Sequence, residues 1–351
     1  MPTNGLNEIF SVFNVVRIFA VVTISFFVTL LLTPLWTKFL YKNKLGKQLR
    51  TPENAPVFHE LHKHKEGTPT MGGVLVWGTV ALLALVFRYT PFNFFSRSQT
   101  WLPLGIMVFA GLLGMADDWF GVLRRGPNGG GLQMRLRLLL YLIVATVGAW
   151  WFYSKLEFDT INIPFLGDMF VGSWYVLIFI FIIVATAFSA NETDGLDGLA
   201  GGVFLTTFGA YGVIAFDQGR MDLVVFIGAI IGSLVAFLWF NIYPARFFMG
   251  DTGSMSLGVV LGVIAMLTNT PLLLIPIAFI FIAESLSVIV QRTYRKFSGK
   301  KIFLSTPIHH HFEAKGWHET KVTMRFWMVS AIGAIIGIII FLIDSKIPPL
   351  L

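Results

Sequence analysis

The side chains best suited to catalysis in this 351-residue chain are carboxylates and imidazoles in four short polar segments. These segments contain Asp117 and Asp118; Asn191, Asp194 and Asp197; Asp251; and His309, His310 and His311. The chain has no cysteine, so a disulfide framework, a thiol nucleophile and a thiolate metal site are excluded. Carboxylates suit Mg²⁺ or Mn²⁺, and Mg²⁺ typically takes one or two of them together with substrate phosphates. Any metal is therefore expected to be held by oxygen or imidazole.

The three consecutive histidines have structural alternatives. An expression tag is disfavoured because the run lies in mid-chain, between Pro307 and Trp317. Zinc ligands must converge on one point, which three consecutive side chains rarely do in a helix or a strand. A plain polar loop is a further alternative. Because a basic stretch lies beside the imidazoles, the pattern favours phosphate binding, with the rings as hydrogen-bond donors and acid–base groups.

The aspartates also have structural interpretations. Asp117 and Asp118 could form a solvated helix end, although the carboxyl end of a helix favours cations. Residues 194–198 could form a turn in which Asp197 caps the next helix, and their spacing is not that of an EF-hand. Asp251 could likewise lie in a capped turn. The residue types alone leave these alternatives open.

The composition indicates that the polar segments connect membrane helices. Mean hydropathy is +0.74, 55% of the residues are hydrophobic and 13% are charged, outside the range of a soluble domain of this length. Runs of about 20 apolar residues can cross a membrane. The sequence predicts an all-α polytopic membrane protein with a single domain, residues 1–351. Its ten predicted transmembrane helices are Val15 to Leu40, Gly72 to Tyr89, Trp101 to Ala116, Leu136 to Phe152, Tyr175 to Ala190, Leu199 to Phe216, Leu223 to Phe240, Met255 to Leu267, Leu272 to Val290 and Phe326 to Ile343.

The distribution of cations predicts the orientation of these helices. Lysine and arginine are concentrated in the loops after the odd-numbered spans, and the opposite loops carry only scattered cations. The positive-inside rule places the cation-rich loops in the cytoplasm and both termini in the periplasm. The net charge of +7 is therefore a signal of topology and a poor argument for nucleic-acid binding. One outside loop, Leu156 to Trp174, alternates in a way that predicts a short periplasmic β-hairpin.

The candidate catalytic side chains follow the third, fifth, seventh and ninth spans. Four loops thus deliver them to one cytoplasmic face, as expected for an enzyme site at the membrane boundary. A transporter, the alternative from another class, would place its acids near the bilayer midplane.

Lys65 lies just before the stretch 67–73, which introduces the second span, and the glycines of this stretch would let the backbone approach a phosphate or nucleotide closely. Glu284 and Gln291 lie on one face of the ninth span. Glu284 either has a function or makes a hydrogen bond between helices.

Several motifs together resemble one family, the bacterial phospho-N-acetylmuramoyl-pentapeptide transferases of the polyprenyl-phosphate N-acetylhexosamine-1-phosphate transferase superfamily. The resemblance covers about Leu45 to Trp327. The histidine motif distinguishes the muramoyl-peptide branch from the N-acetylglucosamine branch, which is the nearer alternative. The motifs are Gly67-Thr68-Pro69-Thr70-Met71-Gly72-Gly73, Asp117-Asp118, Thr193-Asp194-Gly195-Leu196-Asp197-Gly198-Leu199-Ala200, Phe237-Leu238-Trp239-Phe240-Asn241, Phe248-Met249-Gly250-Asp251, Pro307-Ile308-His309-His310-His311-Phe312-Glu313 and Lys315-Gly316-Trp317.

The resemblance implies transfer of phospho-MurNAc-pentapeptide from UDP to undecaprenyl phosphate, which gives lipid I and UMP and requires Mg²⁺. It also implies ten spans, periplasmic termini, a homodimer and a place in the bacterial inner membrane. The catalytic residues would be Asp117, Asp118, Asp251, His310 and His311, with Asp251 also the metal ligand. The substrate-binding residues would be Lys65, Thr70, Asn191, Asp194, Gly195, Leu196, Asp197, Asn241, Phe248, Gln291 and His309.

Four positions depart from the family pattern. Gly121 and Gly130 stand where lysines are usual, and Arg124 and Arg125 are candidates to supply the missing charge. Two further departures are acidic, namely Glu66 beside Lys65 and Glu192 beside Asn191. These changes leave the implied chemistry intact and bear on the contacts with phosphate.

Overall fold

The computed structural model describes residues 3–46, 63–96, 99–125 and 131–346, so Gly130 lies outside the described residues. The described chain is mostly helical, with one small antiparallel sheet. The helices are α1 (Thr3–Lys42), α2 (Val74–Val86), α3 (Trp101–Val122), α4 (Met134–Lys155), α5 (Trp174–Thr193), α6 (Leu199–Asp217), α7 (Met221–Asn241), α8 (Gly250–Leu267), α9 (Leu274–Ile277), α10 (Phe279–Ser298), α11 (Ile308–Ala314) and α12 (Glu319–Asp344). The strands are β1 (Thr160–Ile163) and β2 (Gly167–Phe170).

Within the described part of the chain, eight helices are long and apolar enough to cross a membrane: α1, α3, α4, α5, α6, α7, α8 and α12. The number becomes nine if the bent pair Pro271–Ile277 and Phe279–Ser298 counts as one span. A shorter apolar helix covers Val74–Tyr89. The prediction of a polytopic helical membrane protein is confirmed, and the tenth span stays a prediction.

The second predicted span starts two residues later in the structure, at Val74, and the residues before it pair with a distant loop. The backbone N–H groups of Gly72 and Gly73 donate to the carbonyls of Phe248 and Met249 at 2.8 and 2.9 Å. The N–H of Phe248 in turn donates to the carbonyl of Pro69 at 2.8 Å. A Cβ at Gly72 would lie 2.7 Å from the Phe248 carbonyl oxygen, so this close approach requires glycine. The stretch that precedes α2 is thereby fixed beside the start of α8.

The ninth predicted span, Leu272 to Val290, is not one straight helix. It bends by 86° between α9 and α10. Pro276 lies within α9, and proline removes a helical N–H and clashes with the preceding turn. Gly333 of α12 packs closely on the bend, since a Cβ there would lie 2.4 Å from the Pro276 carbonyl oxygen. Beyond the bend, α10 carries Glu284 and Gln291 and continues to Ser298.

Helix α8 lies at the centre of the bundle. All its residues except Asp251 are buried, which is expected of a helix that is apolar around its whole circumference. Gly258 and Gly262 allow α5 to approach, because their Cβ atoms would lie 2.9 and 3.4 Å from the Cα atoms of Ala187 and Ile183. Small residues permit such close packing of membrane helices. The first turn of α8 is therefore fixed among neighbouring helices.

The predicted β-hairpin is confirmed. Strands β1 and β2 pair antiparallel, with Thr160 opposite Phe170 and Ile163 opposite Gly167. Asn269, in the turn after α8, accepts a hydrogen bond from the Asn162 backbone at 3.1 Å and donates one to Asp168 at 3.0 Å. The hairpin is thus attached to the end of α8 opposite Asp251.

Candidate active site

Two predicted catalytic aspartates, Asp117 and Asp251, meet at the guanidinium of Arg137. Nε of Arg137 lies 2.5 Å from Oδ2 of Asp117, and Nη2 lies 2.9 Å from Oδ2 of Asp251. The backbone N–H of Leu132 donates to Oδ1 of Asp117 at 2.5 Å. The Asp117 side chain is 0% exposed, whereas those of Arg137 and Asp251 are 21% and 19% exposed. We call Asp117, Arg137 and Asp251 the open cluster.

Asn191, at the end of α5, holds Asp251 from a second direction. Its Nδ2 donates to Oδ1 of Asp251 and, at 3.2 Å, to Oγ of Ser254. Its Oδ1 accepts a 3.4 Å hydrogen bond from Nη1 of Arg137. Asn191 therefore helps to hold the open cluster in place. Both oxygens of the Asp251 carboxylate are oriented by neighbouring side chains.

Two other predicted aspartates bind the amino end of α8. Oδ2 of Asp118 accepts the N–H and the hydroxyl of Thr252 at 3.0 and 2.7 Å. Oδ2 of Asp194 accepts the N–H of Gly250 at 2.9 Å. Thr70 donates to Oδ1 of Asp118 at 3.1 Å. Helix amino ends present unpaired N–H groups and positive dipole charge, so these carboxylates stabilise the turn that carries the metal-ligand candidate.

The structure excludes the solvated helix end considered for Asp117 and Asp118. Helix α3 continues to Val122, so both aspartates lie inside its last turns. Both residues are buried, with 1% and 8% of their whole-residue surface exposed. A buried carboxylate requires partners, and those described above supply them. Their catalytic roles stay predictions.

A second set of charges is sealed from solvent. Nζ of Lys65 donates to Oδ1 of Asp197 at 2.7 Å and to Oε1 of Glu319. The same Glu319 oxygen accepts the backbone N–H of Asp197 at 2.6 Å, and Oδ2 of Asp197 accepts the N–H of Ala245 at 2.9 Å. The three side chains are 3% to 7% exposed. We call Lys65, Asp197 and Glu319 the closed cluster.

The remaining predicted donor-site residues surround the turn 194–198. Asn241 accepts the N–H of Gly198 at 3.1 Å and donates to the carbonyl of Phe247 at 2.9 Å. Phe248 is partly exposed, and Nζ of Lys65 lies 5.9 Å from the centroid of its ring. Leu196 is buried. The structure thus brings Asn241, Lys65 and Phe248 together near the turn 194–198.

The histidines lie on the short helix α11, where the sequence predicted a loop. The Nδ1 atoms point to separate partners, so the rings do not converge as zinc ligands would. Across the described residues, no group of three or more histidine, aspartate or glutamate side chains is arranged to hold a metal. The contacts are His309 with Glu284 at 3.0 Å, His310 with Glu313 at 2.7 Å, and His311 with the Leu304 N–H at 3.1 Å.

The short helix α11 contacts the turn 194–198 through His309. A Cβ on Gly195 would lie 2.2 Å from Nε2 of His309, so the imidazole fills the space of a side chain at position 195. Both Glu284 and His309 are fully buried. Burial opposes protonation of His309, but carboxylates, with Glu284 foremost, raise its pKa above the ordinary 6.5. In His311, burial followed by the charge of Lys315 lowers the pKa.

Gln291 binds the loop that leads to α11. Its Oε1 accepts the N–H groups of Ile302 and Phe303 at 2.9 and 3.1 Å, and its Nε2 donates to the Phe303 carbonyl at 3.0 Å. The side chain is 8% exposed. Gln291 therefore positions the histidine segment in this structure, and its predicted contact with substrate stays a prediction.

Sequence reasoning missed three buried or partly buried polar residues. Arg137 lies at the cytoplasmic start of the fourth predicted span, and its spacing from the aspartates carries no signal. Glu319 is indistinguishable from an acid that favours a helix amino end. Tyr141, one turn after Arg137, is buried, and its hydroxyl has no hydrogen-bond partner in the part of the chain that the structure describes.

The open cluster has donors that suit a divalent cation. Asp117 and Asp251 are hard oxygen ligands, and Arg137 already supplies positive charge between them. Mg²⁺ typically uses one or two protein carboxylates and completes its shell with water and substrate phosphate. Two carboxylates therefore fit a Mg²⁺ that is bound together with its substrate.

Comparison with known proteins gives one consistent result. Residues 100–269 match the model of glycosyl transferase family 4, and residues 65–75 match phospho-N-acetylmuramoyl-pentapeptide-transferase signature 1. Among similar proteins, the phospho-N-acetylmuramoyl-pentapeptide-transferase of Chloroflexus aurantiacus is 37% identical over 91% of this chain and 88% of its own length. That of Listeria monocytogenes is 38% identical over 93% and 98%. The chain therefore belongs to the phospho-N-acetylmuramoyl-pentapeptide-transferase family.

Proposed function

We propose that this protein transfers phospho-MurNAc-pentapeptide from UDP-MurNAc-pentapeptide to undecaprenyl phosphate, giving lipid I and UMP. The observation that carries the proposal is the open cluster at the first turn of α8. It combines two carboxylates with one cation, and its Arg137 and Asp251 side chains remain partly exposed. Such a cluster has the charge and the access needed to join two phosphates at a membrane helix bundle.

The reaction exchanges one phosphoanhydride bond for another. An oxygen of the acceptor phosphate attacks the donor phosphorus that carries the sugar, and the bond from that phosphorus to the bridging oxygen breaks. UMP leaves with the bridging oxygen and its electron pair. Asp117 accepts the proton of the acceptor phosphate or orients that group. Arg137 binds anionic oxygens through its fork of N–H groups.

We assign a Mg²⁺ ion to Asp251, with Asp117 as the neighbouring carboxylate. When bound, the ion would neutralise the diphosphate and stabilise the charge that develops during transfer. Asn191 and Arg137 hold the Asp251 oxygens in place. Asp118 fixes the same turn of α8 by binding Thr252. These contacts support a preorganised carboxylate at the point where two anions must meet.

The donor nucleotide is assigned to the side of the closed cluster, where Phe248 would stack on uracil. Lys65 beside that ring and the backbone of the turn 194–198 support the assignment. His310 and His311 are assigned to the phosphate and sugar end, because α11 packs against that turn through His309. The donor set comprises Lys65, Thr70, Asn191, Asp194, Gly195, Leu196, Asp197, Asn241, Phe248, Gln291 and His309.

The proposal also includes the number of membrane spans and their orientation. Ten spans result if α2 and the bent pair α9 and α10 each cross once. Both termini would then be periplasmic, and the site would face the cytoplasm of a bacterial inner membrane. The excess of lysine and arginine in alternate loops supports this orientation. The homodimer implied by the family remains part of the proposal.

Release of UMP by the detergent-purified protein separates the candidate functions. The reaction would contain undecaprenyl phosphate, Mg²⁺ and either UDP-MurNAc-pentapeptide or UDP-GlcNAc. The proposal predicts UMP from the first donor only. UMP only from UDP-GlcNAc would move the protein to the N-acetylglucosamine branch, and no UMP from either donor would leave the transporter alternative.

A further inference from the structure

One face of α12 holds the backbone of the turn 194–198, which we call the donor turn because the proposed function assigns it to donor binding. Glu319, Thr323 and Trp327 are spaced by four residues and therefore lie on the same side of the helix. Glu319 accepts the N–H of Asp197 at 2.6 Å, and the Thr323 hydroxyl donates to the Asp197 carbonyl at 3.3 Å. Nε1 of Trp327 donates to the Gly198 carbonyl at 3.2 Å. Three successive turns of one helix thus fix two adjacent residues of the turn.

Glu319 also fixes the cation of the closed cluster. One Oε1 atom accepts both Nζ of Lys65 and the N–H of Asp197, so it joins the side chain before α2 to the turn after α5. The closed cluster is almost fully buried. Removal of one partner from a buried ion pair leaves an uncompensated charge. Asp197 alone would bind Lys65 without orienting it, because an ammonium is a point charge on a flexible stem.

We infer that Glu319 is a positioning residue for the nucleotide donor: it orients Lys65 and the turn 194–198 without touching the substrate. The inference rests on the proposed function, which assigns Lys65 and Asp197 to donor binding. Glu319 lies at the start of α12, two residues after the Trp317 that follows the histidine helix. The same residue therefore also connects the position of α11 to that of the donor turn.

The test is Glu319→Gln, which keeps an oxygen acceptor for the Asp197 N–H and removes the charge that binds Lys65. The donor KM is expected to rise about tenfold to a hundredfold, the effect of one charged hydrogen bond. The undecaprenyl phosphate KM and kcat are expected to stay within about threefold, since the open cluster is unchanged. A general loss of structure would change all three constants and lower the melting temperature.

Asp217→Asn is the matched control. It removes a carboxylate charge from an exposed residue at the end of α6 opposite the turn 194–198, and all three constants are expected to match the wild type. Thr323→Val is a second test that leaves the closed cluster charged. It removes the hydroxyl that binds the Asp197 carbonyl, so it should raise the donor KM about threefold to tenfold while the acceptor KM stays constant.

A double-mutant cycle tests whether Glu319 changes the donor KM through Lys65. If Glu319 acts through Lys65, the donor KM of Lys65→Met with Glu319→Gln should be close to that of Lys65→Met alone. Additive effects, an equal change in donor and acceptor KM, or unchanged constants in Glu319→Gln would overturn the inference. If Glu319→Gln does not fold, Glu319→Asp replaces it, since the shorter side chain keeps the charge but loses its reach to Lys65, and an unchanged donor KM in Glu319→Asp overturns the inference. If the wild-type protein releases no UMP, the proposed function is contradicted instead.

Discussion

The open and closed clusters have the same charges and different access to solvent. Each consists of one cation between two carboxylates, contributed by separate segments of the chain. In the open cluster the cation is 21% exposed, and in the closed cluster it is 7% exposed. Burial strengthens a charged contact and makes its loss more costly. The same charge pattern thus occurs in two settings, one partly open to solvent, as the proposed exchange with ligands requires, and one sealed, where its geometry is fixed.

The clusters also differ in what holds them. The open cluster lies against the buried helix α8, whose first turn is bound by Asp118 and Asp194. The closed cluster binds the donor turn directly through backbone contacts of Asp197. Changes in the open cluster should therefore act mainly on kcat, because the reacting phosphates of donor and acceptor are proposed to meet there. Changes around the closed cluster should affect the donor.

The largest effect is expected from Asp251→Asn. The change removes the negative charge proposed to bind Mg²⁺ but keeps a side chain of the same shape, so kcat should fall by about 10³-fold or more. The melting temperature should stay within a few degrees of the wild type. Steady-state UMP release and thermal unfolding in detergent measure the two quantities. Normal turnover would remove Asp251 from the metal role and break the comparison.

Arg137→Gln tests whether the guanidinium of the open cluster binds the phosphate of the acceptor. We expect kcat/KM for undecaprenyl phosphate to fall about 10²-fold, because a charged, forked donor is lost. Arg137→Lys should recover part of this loss, since lysine keeps the charge without the fork. The control is Arg135→Gln on an exposed position of the same helix. A loss confined to the donor KM would contradict the assignment.

Gly195→Ala should disturb the closed side alone. The new methyl group would lie 2.2 Å from Nε2 of His309, so the ring or the turn must shift, at about 1 to 3 kcal/mol. The expected result is an increase in donor KM, with the acceptor KM unchanged, measured by separate substrate titrations. Gly209→Ala in α6 is the control, because a Cβ there meets nothing within 4 Å. Wild-type donor KM in Gly195→Ala would show that His309 does not constrain the turn.

The smallest effect is expected in the pH dependence of the melting temperature, through His309 on α11. The folded-state pKa of His309 is raised, so its pairing with Glu284 contributes stability that is fully present below pH 6.5. That contribution should be lost as the pH rises through the folded-state pKa of His309. The melting temperature should therefore fall over this range, and Glu284→Gln should make the fall smaller. An unchanged pH dependence in Glu284→Gln would exclude the pair as its source.

Much of the fold was predictable because membrane helices and hairpins leave local signals. The apolar runs identify the helices that the structure contains, and the alternation between Leu156 and Trp174 predicts the observed strands. The bend between α9 and α10 was not predicted, because hydropathy does not distinguish a straight apolar run from a broken one. The pairing of the residues before α2 with Phe248 was missed for a similar reason, since it joins distant segments.

The site was predictable only where residue type is unusual for its position. Aspartates at the ends of membrane spans are costly, so Asp117 and Asp251 stood out. Arg137 did not, because an arginine beside a cytoplasmic span is ordinary. Glu319 did not, because acids are common at helix amino ends. Pairings between distant segments, such as Lys65 with Glu319, depend on tertiary structure and have no local signal.

The most direct measurement follows both products of one reaction. Purified protein would be supplied with UDP-MurNAc-pentapeptide, undecaprenyl phosphate and Mg²⁺, with UMP quantified by chromatography and the lipid product by mass spectrometry. The account predicts equal amounts of UMP and lipid I, with lipid I consumed when excess UMP is added. UMP without lipid I would mean hydrolysis, and absence of both products would contradict the assignment of the open cluster to phosphoryl transfer.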